Sequence, residues 1–333
     1  MKTVLVTGGA GYIGAVLIPK LLERDYRVRV LDLFVFGESA LPREHSNLES
    51  IRGDIRDLEL LERIMPGTDG VIHLAGISND PGFELNPRLG KSINFESFEP
   101  LVSLAKECGV QRFIYASSAS VYGLNAATEV TEDEPLLPIT DYDRYKSQCE
   151  PILHSHQTPA FTTVVIRSAT VCGYSPRQRL DLVVNILTNL AVHRRKITIL
   201  GAEQQRPSLH VEDLTDLYAN LLESPAEVLQ GHTFNVAGGN HSVAELSRIV
   251  CDVVRQELPM IRSIDLETAE AERAISYKVC ATRIQKALDW RPRRGVEDAV
   301  VDLCRAFRDG RLPNSLDDPR YFNVRMLQTV GLV

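Results

Sequence analysis

An α/β fold built on a doubly wound parallel sheet, with a smaller α/β lobe toward the C-terminus, follows from three features of the sequence. Short apolar runs alternate with amphipathic stretches from the first residues onward, the order expected of parallel βαβ units. A glycine cluster stands where the first run gives way to the first amphipathic stretch. The length of 333 residues exceeds one ordinary core and predicts about two domains, or one with an appended lobe.

Each element has its own signal. Residues 3–7 (TVLVT) form a short continuous apolar run, as a strand buried on both faces requires. A glycine-rich turn follows, then a helix over residues 12–24. Residues 26–33 (YRVRVLDL) alternate into a second strand. Residues 70–75 (GVIHLA) and 112–117 (RFIYAS) read as further buried strands, with a helical stretch over 91–108 between them. Residues 162–167 (TTVVIR) supply another strand. The texture then changes. Residues 177–195 read as a helix with Leu180, Leu182, Val183, Ile186, Leu187 and Leu190 as its apolar stripe. Residues 196–200 and 208–211 are short strands, 212–223 a helix and 233–236 a strand. Ser242 and Glu245 have the spacing of a capping box. Pro292, Pro313 and Pro319 punctuate the C-terminal end. Residues 162–170 and 233–237 are expected to return to the first sheet, leaving a cleft between the lobes.

Composition excludes several classes of function. Lys plus Arg number 37 and Asp plus Glu 44, a net charge of −7 with a pI near 5.7. Such an acidic chain is a poor binder of nucleic acid or anionic membrane, yet a local arginine pocket can still hold a phosphate. Apolar residues at 44% and charged residues at 24% exclude disorder as a whole-chain reading. The six cysteines include no CxxC pair, no metal site is expected, and single reduced thiols suit a cytoplasmic protein. No apolar stretch approaches the ~18 residues of a membrane span, and the first apolar run is too short for a signal peptide.

The glycine cluster reads Thr7-Gly8-Gly9-Ala10-Gly11-Tyr12-Ile13-Gly14, with glycines at 8, 11 and 14. Between a strand and a helix, glycine permits a tight turn and close backbone approach to a pyrophosphate. The free N–H groups of the helix start then face the phosphates. This context predicts a dinucleotide site. Asp32 closes the second strand, where a carboxylate accepts from ribose hydroxyls and repels a 2′-phosphate. Leu33 and Phe34 bring no arginine, so NAD is favoured over NADP. Asp54 and Ile55, after a third strand, suit the adenine amine and ring face.

Tyr142 and Lys146 stand four residues apart and share a face if helical. A neighbouring ammonium lowers a phenol's pKa and makes Tyr142 a usable acid–base group. Ser117 to Gly123 (SSASVYG) follow the strand RFIYA. Ligands of open α/β sheets bind outside the carboxyl ends of such strands, so a serine there can hydrogen-bond a substrate oxygen.

Together these motifs resemble an extended short-chain dehydrogenase/reductase of the NAD-dependent epimerase/dehydratase family, most nearly its UDP-glucose 4-epimerase group. The resemblance is carried by TGGAGYIG (residues 7–14), Asp32, HLAGISNDP (73–81), SSASVYG (117–123), YDRYK (142–146), RPSLHVEDL (206–214) and LDWRP (288–292). It implies a Rossmann-type NAD-binding domain over residues 1–170, with a strand returning near 232–237, and a mainly substrate-binding lobe over 171–333. It implies Ser118, Tyr142 and Lys146 as catalytic residues. Gly8, Gly11, Tyr12, Ile13, Gly14, Asp32, Asp54, Ile55, Leu74, Ala75, Tyr142 and Lys146 are implied as NAD contacts. A nucleotide-diphosphate sugar is the implied substrate, held by Ser118, Arg177, Arg179, Asn185, Arg206 and Arg273, in a homodimer. The implied reaction is 4-epimerisation through a 4-keto sugar. The alternatives are a 4-dehydrogenase or 4-ketoreductase, resembling GDP-heptose 4-dehydrogenases, or a non-catalytic NAD-sensing protein.

Some positions depart from the family pattern. The Asp-Glu pair that follows the catalytic residue in sugar 4,6-dehydratases is Ala119-Ser120 here, which argues against that elimination. Tyr145 replaces a small residue and is expected to narrow the site. The RDxxHV pattern has lost its Asp to Pro207.

Overall fold

The structure, a computed structural model, describes residues 1–123, 129–269 and 276–332. In chain order, β1 (Thr3–Thr7) leads through the glycine turn to α1 (Gly14–Glu23), then β2 (Arg27–Asp32), β3 (Leu48–Arg52), α2 (Leu58–Ile64) and β4 (Gly70–His73). Two short helices, α3 (Asp80–Leu85) and α4 (Pro87–Lys91), pass through a π-helical turn at Ser92–Glu96 into α5 (Phe98–Glu107). Next come β5 (Arg112–Ser118), α6 (Asp141–Ser155), β6 (Thr162–Ser168), β7 (Thr170–Cys172), α7 (Val183–Arg194), β8 (Lys196–Leu200) and β9 (Gln205–His210). They are followed by α8 (Val211–Leu221), α9 (Ala226–Leu229), β10 (His232–Val236), β11 (Gly239–Ser242), α10 (Val243–Glu257) and β12 (Asp265–Ala269). The chain closes with α11 (Thr282–Leu288), α12 (Val296–Arg308) and α13 (Asn323–Thr329). Among the described residues no helix is long and apolar enough to cross a membrane.

Seven strands form one parallel sheet in the order β10-β6-β5-β4-β1-β2-β3. Its two faces are covered by different helices, and the pleat of β1 shows how. Val4 and Val6 pack with Leu17, Ile18 and Leu21 of α1, whereas Leu5 packs with Phe98 and Leu101 of α5. The chain builds outward from β1 in one direction, through β2 and β3. It then crosses to β4 and builds in the other. A crevice opens at the carboxyl ends of strands where the order reverses in this way. The return strand is real: β10 pairs with β6 from His232↔Val164 to Val236↔Ser168.

The later part of the chain adds a three-stranded sheet, β11-β9-β7, and a parallel pair, β12 with β8. Helices α7, α10 and α12 share one apolar cluster that includes Leu187, Val250, Val254 and Val300. Ser242 and Glu245 form the capping box that starts α10.

The helix expected over 177–195 begins only at Val183. The apolar stripe that suggested the longer helix is split among three different clusters, Leu182 packing against the one beside β1 and α1. Leu180 packs with Leu303, Ala306, Leu312 and Tyr321, while Val184 and Leu187 pack with α10 and α12. Residues 177–182 are thereby pulled out of the helix and across the crevice. The stretch 91–108 is likewise interrupted, by the π-helical turn at Ser92–Glu96.

A buried ion pair ties α6 to this sheet. Arg167 on β6 donates from Nη2 to Glu150 of α6 at 2.6 Å and from Nε at 3.0 Å, and Ser117 of β5 donates to the same carboxylate at 2.6 Å. Removing one partner of such a pair strands the other charge in the core. Arg167→Met is therefore expected to cost about 3–5 kcal/mol of stability, read from urea unfolding. A loss below about 1 kcal/mol, the scale of an exposed pair, would contradict this account.

Candidate active site

The crevice at the β1/β4 switch point is a cavity of about 460 Å³. Its floor begins at the glycine turn. Gly8 has a φ of +71°, and a Cβ there would sit 2.6 Å from the backbone nitrogen of Ala75. A Cβ on Gly14 would meet the carbonyl oxygen of Gly9 at 2.2 Å. Both positions therefore require glycine. The cavity walls include Gly8, Gly11, Tyr12, Ile13 and Gly14, then Asp32, Asp54, Ile55, Leu74 and Ala75. All the residues expected from sequence to meet the cofactor thus share one surface, and Tyr142 and Lys146 line it as well.

Asp32 is held by two backbone amides, Ala10 N to Oδ2 at 3.0 Å and Phe34 N to Oδ1 at 2.7 Å. Burial pushes its carboxyl up from the usual carboxylate range, against the pull of those amides. Asp54 is engaged by Arg56, whose Nη2 lies 2.6 Å from Oδ2 and holds the carboxyl below its usual range. An anchored carboxylate at the end of β2, a glycine-rich turn and a helix N-terminus make a cradle that fits a dinucleotide.

Ser118 ends β5, and Tyr142 and Lys146 rise from the first turns of α6. Thr140 caps that helix, accepting from Asp143 N at 3.2 Å and donating to Asp80 at 2.6 Å. Lys146 Nζ donates to the carbonyl of Ala116 at 2.6 Å and stands 6.0 Å from the Tyr142 ring centroid. Burial pulls the ammonium down to about 8. Burial also governs Tyr142. It pushes the phenol up, the Asp143 carboxylate adds to the rise, and a hydrogen bond with Ser118 opposes it. The lowering expected from Lys146 alone is outweighed, because desolvation disfavours the phenolate more than an ammonium at this distance favours it.

Several expected contacts fall elsewhere. Asn185 is 0% exposed, and its amide is fully engaged within the chain. It accepts from Gly173 N at 3.0 Å and donates to the Arg179 carbonyl at 2.8 Å and to Tyr12 Oη at 3.2 Å. It braces the loop and does not line the cavity. Arg206, on β9, donates to Gln204 at 2.7 Å and also lies off the cavity wall. Arg177 and Arg179 do line it, but Arg177 stands at the Asp32 end, its guanidinium 3.4 Å from the Phe36 ring centroid. Arg273 lies outside the described residues. Tyr145 does not narrow the cavity. It stacks on Phe95, with ring centroids 5.4 Å apart, and packs against Phe83, and it is not part of the cavity wall.

Other wall residues were not expected from the sequence. Tyr277, Asn323, Leu327 and Leu332 come from the far end of the chain. Ser120 sits 2.8 Å from Ser118, Oγ to Oγ. Behind it, Asp143 is buried with Oδ1 unpartnered among the described residues. No local sequence pattern announces the four residues from the far end of the chain, since each is brought in by tertiary packing; Ser120 and Asp143 lie within the SSASVYG and YDRYK motifs but were not among the expected contacts.

A family model described as the NAD dependent epimerase/dehydratase family matches residues 4–237. The chain belongs to this family. It is an NAD-dependent enzyme of the extended short-chain dehydrogenase/reductase type. The chain is 28% identical to UDP-glucose 4-epimerase 2 of Oryza sativa subsp. japonica, over 91% of this chain and 81% of that protein. It is also 28% identical to the dTDP-D-glucose 4,6-dehydratase of Mus musculus, over 92% of this chain and 89% of that one. Among solved structures it is similar to a UDP-N-acetylglucosamine 4-epimerase from Methanobrevibacter ruminantium in complex with UDP-N-acetylmuramic acid. That match has a TM-score of 0.82 and 25% identity, over 92% of this chain and 98% of that one.

Beneath the glycine turn, His73 shares a hydrogen bond of 2.7 Å between its Nδ1 and Thr7 Oγ1. Burial, helped by the Lys146 ammonium, pulls its imidazole down to about 3. The unfolded chain takes up that proton below about pH 6.5, and the folded chain does so only near 3. The neutral histidine's contribution to stability is therefore complete above about pH 6.5 and is lost as pH falls from there toward 3. Urea midpoints should fall across this window, and His73→Gln should flatten the slope. An unchanged slope in the variant would contradict the assignment.

Proposed function

We propose that this enzyme interconverts nucleotide-diphosphate sugars by 4-epimerisation through a transient 4-keto sugar. The observation that supports this best is a single cavity bounded at one end by the glycine turn and Asp32 and at the other by Ser118, Tyr142 and Lys146. The relatives named as UDP-glucose 4-epimerases support the same reading. Residues 1–170 supply most of the cofactor contacts in this proposal and residues 171–333 most of the substrate contacts. Arg177 and Asn323 cross that division, because they face the cofactor end.

In this reading the dinucleotide lies over Gly8, Gly11 and Gly14, with its adenosine ribose on Asp32 and its adenine beside Asp54 and Ile55. NAD, when bound, supplies the acceptor and later the donor of the C4 hydride and, when oxidised, a positive charge beside the phenol. Tyr142 takes the proton of the sugar 4-hydroxyl as a general base and returns it as a general acid. Lys146, fixed by the Ala116 carbonyl, stabilises the phenolate. Ser118 donates to the substrate oxygen as it becomes a ketone. Ala119 and Ser120 offer no carboxyl group for loss of water, so the 4-keto sugar keeps its other hydroxyls. The cavity must let that keto sugar turn about its link to the diphosphate before it is reduced on its other face.

Incubation with UDP-, GDP-, ADP- and dTDP-sugars, followed by NMR of the C4 configuration, tests the proposal. One of them should be epimerised without net NADH. Net NADH production would favour the 4-dehydrogenase instead. Tyr142→Phe should lower kcat about 10²–10⁴-fold, and turnover at the wild-type rate would sink the mechanism. Because Lys146 loses its proton near pH 8, kcat/KM should fall as pH rises through about 8. A profile flat to pH 10 would remove Lys146 from this role.

A further inference from the structure

Arg177 is out of balance with its surroundings. It is only 6% exposed, and among the described residues its Nε and Nη1 have no hydrogen-bond partner. A buried guanidinium with two idle donors is costly unless an acceptor is supplied from outside the chain. The groups that face it are Arg179, Asp181, Asp32 and Tyr12, and burial together with Arg179 pulls its pKa down to about 9. Asp181 is already committed to Arg179, at 2.9 Å. Phe36 covers the face of the guanidinium plane. Arg177 lines the cofactor cavity, and its idle donors lie buried just behind that wall, within electrostatic reach of Asp32 and Tyr12.

One bond of Arg177 is made, and its partner comes from the last helix. Nη2 donates to Asn323 Oδ1 at 2.5 Å. The same asparagine donates from Nδ2 to Ser78 Oγ at 2.9 Å, and its backbone N–H donates to Asp181 at 3.1 Å. Ser78 follows β4 and also accepts from Arg179 Nη1 at 3.1 Å. Asn323 thus joins the loop after β4 to the 177–181 loop, and Leu327 and Leu332 continue the cavity wall beyond it.

We propose that the C-terminal helix is part of the dinucleotide site: Asn323 positions Arg177 so that its two idle donors clamp the pyrophosphate of NAD from the side opposite the glycine turn. The inference rests on the cofactor assignment. It adds a positioning residue that no motif carries, more than 300 residues from the glycine turn. An anion held by both a helix N-terminus and a guanidinium is held more tightly than by either alone.

Isothermal titration of the full chain tests this with three probes: NAD⁺, ADP-ribose and adenosine. Asn323→Ala and Arg177→Met should each weaken NAD⁺ and ADP-ribose about tenfold, the scale of one charge-assisted hydrogen bond, and leave adenosine unchanged. The double variant should be no weaker than Arg177→Met, because Asn323 acts through the arginine. Should Arg177→Met fail to fold, Asn323→Asp serves instead. It keeps the contact but sets a carboxylate against the guanidinium, whose attraction for the pyrophosphate is then offset, so NAD⁺ should weaken more than with alanine. Equal loss of adenosine, additive losses in the double variant, or unchanged NAD⁺ affinity would each overturn the clamp. Failure of the wild-type protein to bind NAD⁺ at all would instead sink the cofactor assignment beneath it.

Discussion

The buried pair of Glu150 and Arg167 is the constraint on which the site geometry depends. Glu150 follows Lys146 by one helical turn and Tyr142 by two, so all three share a face of α6. Its carboxylate is gripped by Arg167 from β6 and by Ser117 from β5, the neighbour of Ser118. Ser117 points to one face of the strand end and Ser118 to the other. Fixing Ser117 to Glu150 therefore fixes the distance between Ser118 and the helix that carries the tyrosine. Arg167 Nη1 also donates to Tyr122 Oη, which donates in turn to Asn235 of β10. The return strand is thus wired to the helix as well as to the sheet.

Much of this fold was legible because its signals are local. Buried parallel strands are short apolar runs, and β1, β4, β5 and β6 were found where such runs occur. The glycine turn was legible because two of its positions tolerate no side chain. Ser118, Tyr142 and Lys146 reach one cavity because they lie near a strand end and a helix start, which the order of elements predicts. What was misread depends on which neighbour a residue meets. Leu180 and Leu187 are spaced like one helical stripe, but they enter different clusters. Asn185 is chemically suited to bind a ligand, but Gly173, Tyr12 and Arg179 use its amide first. Arg206 and Arg177 look alike in sequence, and only Arg177 reaches the cavity.

The division of labour between the halves of the chain follows from the same packing. Leu180 is drawn toward α12 and Tyr321, and the backbone N–H of Leu180 donates to the Tyr321 carbonyl at 2.9 Å. This contact unwinds residues 177–182 from α7 and leaves Arg177 and Arg179 facing the crevice. The net charge of −7 is a sum over the whole chain. Inside the crevice the local balance differs, because two arginines are turned inward there. An acidic protein can hold a diphosphate when packing, not composition, sets which charges reach the ligand.

The electrostatics of the proposed base are consistent with that arrangement. Burial favours the neutral form of both groups, raising Tyr142 and lowering Lys146 to about 8. In the protein alone the phenol therefore keeps its proton, even with an ammonium beside it. An exposed tyrosine would feel any nearby charge weakly, through water. A buried one responds strongly to a charge brought into the same cavity. On the proposed reading, the desolvation that makes Tyr142 a poor base at rest also makes it sensitive to the oxidised cofactor. Proton abstraction is then restricted to the complex that can also accept the hydride, and a lone substrate meets a neutral phenol.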